Sequence, residues 1–170
     1  MTLPPVLSAI RRRRSVREFI GEPVSQEDVV EILTAGIWAP SGLNNQPWRF
    51  VVVRGEDVRR RLAGLTHYGH IVTAAPLLIV VFLDTEAMYD TVKDHQAVGA
   101  CIQNMLLAAD ALGLGAVWLG QIVKNKTRVN QTLGLDERYD LMAVLAIGRP
   151  AHRDQKSHRK ELDHFLLKEL

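Results

Sequence analysis

APSGLNNQPWRFVVV, residues 39–53, joins two kinds of chain that ordinarily stay apart. Its first half is turn chemistry: Pro40, Ser41, Gly42, Asn44, Asn45, Gln46 and Pro47. Its second half reads as a strand over residues 49–54, with Trp48 contributing apolar area at its start. Upstream, SQED at residues 25–28 fits a capping box with Ser25 as N-cap, and Val29, Ile32, Leu33 and Ile37 follow at helical spacing until Pro40 ends the helix. Downstream, residues 56–65 read as a charged surface helix and LLIVVFLD, residues 77–84, as a central strand buried on both faces. The longest helix is expected over residues 93–112. There Val98, Ile102, Met105, Ala109 and Leu112 form an apolar stripe that Leu106, Leu107 and Ala108 widen, as in a core helix or a subunit interface. Further strands are expected at residues 116–119 and 141–147, and a short helix at residues 5–12. The tail, residues 151–170, reads as polar and then amphipathic, with Leu162, Phe165 and Leu166 on one helical face. Helices and strands do not alternate as a doubly wound parallel sheet requires, so the expectation is α+β: one sheet with helices on its faces.

The 170 residues suit a single domain, and 47% hydrophobic with 24% charged residues is the balance of an ordinary globular chain. No apolar run is long enough to span a bilayer and the N-terminus lacks a signal peptide, so no membrane partner and a cytoplasmic location are expected. One cysteine, Cys101, excludes an intramolecular disulfide and lies on the apolar side of the long helix as an inert thiol. His67 and His70 are three apart with no third ligand in view, so no metal is expected.

Four stretches carry candidate chemistry. In RRRRSVREF, residues 11–19, the residues Arg13, Ser15 and Arg17 alternate and share one side of an extended segment. Two guanidiniums flanking a hydroxyl form a phosphate cradle, because Arg binds phosphate oxygens through paired hydrogen bonds. A bare arginine run also fits a nucleic-acid arm, and that alternative stays open. Asn44, Asn45 and Gln46 exceed what a turn needs; their amides donate and accept, as a heterocycle with carbonyls and ring nitrogens requires. In GLGAVWLGQ, residues 113–121, a dinucleotide fingerprint fails because Trp118 stands where glycine is needed. Gly120, at a strand end, reads as a point of close backbone approach to a ligand. KSHRKELDHF, residues 156–165, is a charged tail that can supply one more cation.

Taken in order, these pieces resemble the nitroreductase family of FMN-dependent NAD(P)H oxidoreductases. RRSVREF resembles its phosphate motif, and APSGLNNQPWRFVVV is similar to its most distinctive signature. IQNMLLAADALGLGAVWLG resembles its long helix and following strand, and AIGRP with HRKELDHF its ending. The resemblance covers residues 10–165. It departs at Arg149, where the family has tyrosine, and at Glu161, where it has proline.

The resemblance implies an α+β, nitroreductase-like fold, a mixed central sheet flanked by helices, as an intertwined homodimer with FMN at the interface. It implies that Arg13, Arg14, Ser15, Arg17 and Arg159 surround the FMN phosphate. Pro40, Ser41, Gly42, Asn44 and Gln46 would line the ring and ribityl chain, some of them from the second subunit, and Leu119 and Gly120 would lie near flavin N5. NADH or NADPH is the implied co-substrate and a nitroaromatic or quinone the implied small-molecule electron acceptor, in a ping-pong cycle with no catalytic side chain. Flavin destruction or reductive dehalogenation is the alternative within the family, and a basic nucleic-acid-binding module the alternative outside it. The short segment 85–92 leaves little chain for a lid, so an open acceptor site is expected, narrowed only by Trp118 and Tyr89.

Overall fold

The computed structural model describes residues 3–170. Helix α1 (Pro5–Arg12) leads into a two-residue strand β1 (Phe19–Ile20) and helix α2 (Gln26–Ile37). The Ser25 hydroxyl accepts from the Asp28 N–H at 2.9 Å, the N-cap that the sequence announces. Strand β2 (Trp48–Val53), helices α3 (Glu56–Ala63) and α4 (Gly69–Ala74), and strand β3 (Leu77–Asp84) follow. Then come helix α5 (Thr91–Ala111), strand β4 (Gly115–Leu119), helix α6 (Lys126–Leu133) and strand β5 (Tyr139–Pro150).

The sheet runs β1-β5-β3-β2, with β4 also paired to β5. All named strand pairs are antiparallel. The parallel component expected of a mixed sheet reduces to one isolated bridge, between Ser15 and Ala116. Every residue of β3 is buried, because this strand is central and covered on both faces. On one face Leu77, Ile79, Val81 and Leu83 pack with α2 and α5 through Ile32, Val98, Ile102 and Met105. On the other, Leu78, Val80 and Phe82 pack with Leu62, Ile71, Ile122 and Val129. The strand's alternation thus feeds two cores, one per face.

Trp48 and Cys101 both lie in the first core, and burial pushes the Cys101 thiol up to about 12. The tail is not the amphipathic helix its spacing suggests. Residues 151–170 run irregularly apart from one 3-10 turn, Leu162–His164, and Leu162, Phe165 and Leu166 stay exposed. An amphipathic helix forms where its apolar face has a surface to cover, and among the described residues Leu162, Phe165 and Leu166 find none.

Candidate active site

The arginine segment leaves α1 as extended chain. Val16 turns inward and is buried, its N–H donating to the Ala116 carbonyl at 3.1 Å, while Arg13, Ser15 and Arg17 line the outer side. This is the predicted alternation. Gly115 permits it: a Cβ there would stand 2.7 Å from the Val16 side chain, so no larger residue lets the segment lie this close to β4. The tail returns to the same place. Arg153 holds it through Asp110 and the Leu114 carbonyl, both at 3.3 Å. Arg13, Arg14, Ser15, Arg17 and Arg159 then surround one cleft of about 400 Å³. Lys156 and Ser157, from the charged tail stretch, and Gln155, which the sequence reading did not single out, complete its wall.

The charges in this cleft are uncompensated. Burial, and then the proximity of Arg159, pull the Arg13 guanidinium below its ordinary value, with Arg14 adding to the effect and Asp110 opposing it. The neighbouring carboxylate, Asp110, is already engaged by Arg12 at 2.9 Å and by Arg153 at 3.3 Å. The Nε atoms of Arg13 and Arg14 are buried without a hydrogen-bond partner. A buried donor left unmade costs about 1–3 kcal/mol, so such a cluster calls for a multidentate anion. Arg14 is only partly free for that purpose: its Nη1 donates to the carbonyls of Arg11, Arg12 and Arg13 and so closes the C-terminus of α1.

The polar loop forms a second cleft, of about 320 Å³, that shares no residue with the first. Pro40, Ser41 and Gly42 line one side and Tyr89, Lys93 and Gln96 the other, over a floor of Ala97 and Ala100. The loop is strained. Leu43, Asn44 and Gln46 have φ of 52°, 56° and 48°, a region that non-glycine residues occupy at a cost of about 1–3 kcal/mol each. Gln46 anchors it from within, its N–H donating to Ser41 Oγ at 3.1 Å and its side-chain amide to the Asn44 carbonyl at 3.2 Å. Asn44 and Gln46 are exposed beside this cleft and do not line it. Leu119 is buried in the second core and Gly120 is exposed at the end of β4.

Asn45 departs from the expectation. Its amide turns inward, donating to the Ala87 carbonyl at 3.0 Å and to Asp94 Oδ1 at 2.8 Å. Asp94, fully buried, also accepts from the N–H groups of Tyr89 and Asp90 through Oδ2. Burial opposes ionisation of this carboxyl, but the Asp90 N–H, the Asn45 amide and the Tyr89 N–H outweigh it and hold the group below the usual carboxylate range. Sequence reasoning missed Asp94, since an acidic residue in a helix's first turn is ordinary complementation of the helix dipole. Asp94 four residues after the N-cap Asp90, with a third polar residue in the NNQ run, was the available signal.

The model of the nitroreductase family matches residues 10–69 and 64–149. The chain belongs to the nitroreductase family. An Archaeoglobus fulgidus protein described as an NADH dehydrogenase/NAD(P)H nitroreductase is 33% identical over 162 residues, covering 94% of this chain and 92% of that one. The crystal structure of a Desulfovibrio desulfuricans protein, described as a nitroreductase in complex with FMN, superposes with a TM-score of 0.96 at 54% identity, covering 99% of both chains. The NADPH:FMN oxidoreductase of Vibrio harveyi, complexed with NAD+, superposes at 0.87 with 25% identity, covering 96% of this chain and 76% of that one. The nitroreductase fold therefore extends over nearly the whole chain, and both clefts lie within it.

Proposed function

We propose that this chain is one nitroreductase-like domain that binds FMN and carries electrons from NADH or NADPH to a small acceptor such as a nitroaromatic or a quinone. The observation that carries the reading is the arginine cleft, where Arg13 keeps a buried donor without a partner while Asp110 is spent on Arg12 and Arg153. The donor set fits a terminal phosphate: Arg13, Arg17 and Arg159 supply charge and the Ser15 hydroxyl a further hydrogen bond. FMN, when bound, supplies a ring that takes up a hydride at N5 and returns the electrons from the same face. The chain's own residues hold and orient. The arginines fix the phosphate, Pro40, Ser41 and Gly42 wall the ring from their cleft, and Asn44 and Gln46, exposed beside it, are free to meet the ribityl chain across a subunit interface. Leu119 and Gly120 bring backbone toward the reacting edge. No side chain is required as a proton donor or acceptor. Co-substrate and acceptor thus use one place in turn, the ping-pong order.

The two clefts are separate in one chain, and a homodimer in which one protomer's loop closes over its partner's arginine cleft would unite them. The exposed apolar surface supports the dimer. Val6 is 68% exposed, Trp38 80%, Leu43 85% and Leu162 73%, on α1, the end of α2, the loop and the tail. Obligate interfaces bury on the order of 2,000–5,000 Å², enough to cover such a surface. Only residues 85–90 separate β3 from α5, which supports an open acceptor site. The nucleic-acid alternative loses support because Arg12 is paired with Asp110 and Arg14 with helix carbonyls, so the run does not act as one continuous arm of arginines. Among the described residues no helix is long and apolar enough to cross a membrane, and the reading places the enzyme in the cytoplasm with its nicotinamide donor. The test is purification without added flavin, followed by NAD(P)H oxidation under anaerobic conditions with a quinone or a nitroarene. Yellow protein releasing FMN on denaturation and turning over either acceptor is expected; colourless protein that gains no activity with FMN would overturn the reading.

A further inference from the structure

The geometry points to Asp94 as a positioning residue that sets the acceptor edge of the flavin pocket by holding Tyr89 against Gly42. The inference rests on the reading of the second cleft given above. Asp94 is fully buried, yet one carboxylate joins three separate pieces of chain. It receives Asn45 from the strained loop at 2.8 Å, and the N–H groups of Tyr89 and Asp90 at 2.9 and 3.0 Å from the segment before α5. Asp94 itself is fixed in the first turn of α5, with its N–H on the Asp90 carbonyl at 3.0 Å. A rigid helix therefore sets the spacing between the loop and the Tyr89 backbone.

The spacing matters because Tyr89 and Gly42 touch. A Cβ on Gly42 would fall 1.9 Å from the Tyr89 hydroxyl, so the ring lies directly on the bare glycine backbone. The Lys93 ammonium stands 5.3 Å from the centroid of the same ring, on the turn of α5 that Asp94 begins to bury. Tyr89 is half exposed and lines the cleft, so one face of its ring is offered to whatever enters. A flat acceptor held by such a ring gains from offset stacking, and a displacement of about 1 Å is enough to lower turnover substantially. Asp94 lines neither cleft and acts only through Tyr89 and Asn45.

The test uses the FMN-loaded holoenzyme and three variants: Asp94→Asn, Tyr89→Ala and the double variant. Asparagine keeps one acceptor oxygen but turns an amide toward a donor, which breaks part of the clamp at nearly unchanged volume. Each single variant is expected to retain FMN and to lose about tenfold in kcat/KM for a quinone or nitroarene, and the NAD(P)H half-reaction, which uses the same place, is expected to slow with it. The double variant is expected to be no worse than the poorer single one, because both remove the same positioned ring. Wild-type acceptor kinetics in Tyr89→Ala would overturn the inference even if Asp94→Asn fails to fold. Losses that multiply in the double variant would also overturn it, as would an Asp94→Asn enzyme that differs from wild type only in thermal stability. A wild-type protein that binds no FMN would instead defeat the functional reading on which the inference rests.

Discussion

At the scale of single residues, the site is organised by side chains whose partners are uneven. Arg12 is spent on Asp110 and Arg14 turns its Nη1 to the carbonyls that end α1, keeping only its Nε unpartnered, while the neighbouring Arg13 has a buried Nε without a partner and no carbonyl to close. One arginine run is thereby divided into structural members and a ligand-facing one, a division that identical side chains cannot reveal in a sequence. Asp94 is the opposite case, a buried charge with its acceptor capacity used by three N–H donors. Its carboxyl lies below the ordinary value of 3.8 in the folded protein, so the folded state favours the ionised form. The stability that follows is complete above the unfolded value of about 4 and is lost as pH falls through the lower folded value. Urea unfolding from neutral pH downward should therefore show a loss of stability in acid that Asp94→Asn lacks. At neutral pH the variant should be less stable by about 1–3 kcal/mol. An identical acid profile in wild type and variant would show that Asp94 is not ionised and clamped as described.

At the scale of elements, the approach of the arginine segment to β4 depends on one hydrogen atom. Gly115→Ala would place a Cβ 2.7 Å from two carbons of Val16, a buried side chain with no room to swing away. Overpacking of this kind costs about 1–3 kcal/mol, and here it should also lift Ser15 and Arg17 from their places. Thermal unfolding and an FMN titration of this variant should both move; a change in stability alone would separate the strand packing from the cleft. Strand β3 and helix α5 were legible because unbroken or helically spaced apolar runs leave few other readings. The cap at Ser25 was legible for the same local reason. Helix α6 was not, since KTRVNQTL offers only Val129 and Leu133 to a core and otherwise reads as surface. Strand β1 has two residues, too few for any periodicity. The tail misled in the other direction. Leu162, Phe165 and Leu166 have helical spacing, but spacing says nothing about whether a surface waits to be covered. The arginine cleft and the loop were legible as residue types; that Asn45 faces inward depends on Asp94, 49 residues away.

At the scale of the whole molecule, two incomplete clefts and a large exposed apolar surface belong to the same account. On the proposed reading, a protomer that leaves Trp38 and Leu43 in water and carries two separate clefts is half of a site. Sedimentation across a wide dilution range should find a dimer at every concentration, and replacing both Leu162 and Phe165 with serine should weaken it. A stable monomer carrying FMN would refute the shared site. The central claim, however, is the anion-binding arginine cleft that fixes FMN by its phosphate, and one comparison tests it most directly. Flavin-free protein is titrated with FMN and with riboflavin, which differ only in that phosphate, for the wild type and for Arg13→Ala. Each lost charge-assisted hydrogen bond is worth about 1.5–3 kcal/mol. The wild type should therefore bind FMN more tightly than riboflavin by at least about tenfold, and Arg13→Ala should narrow the gap by weakening FMN alone. Equal affinity of the wild type for the two flavins would contradict the account.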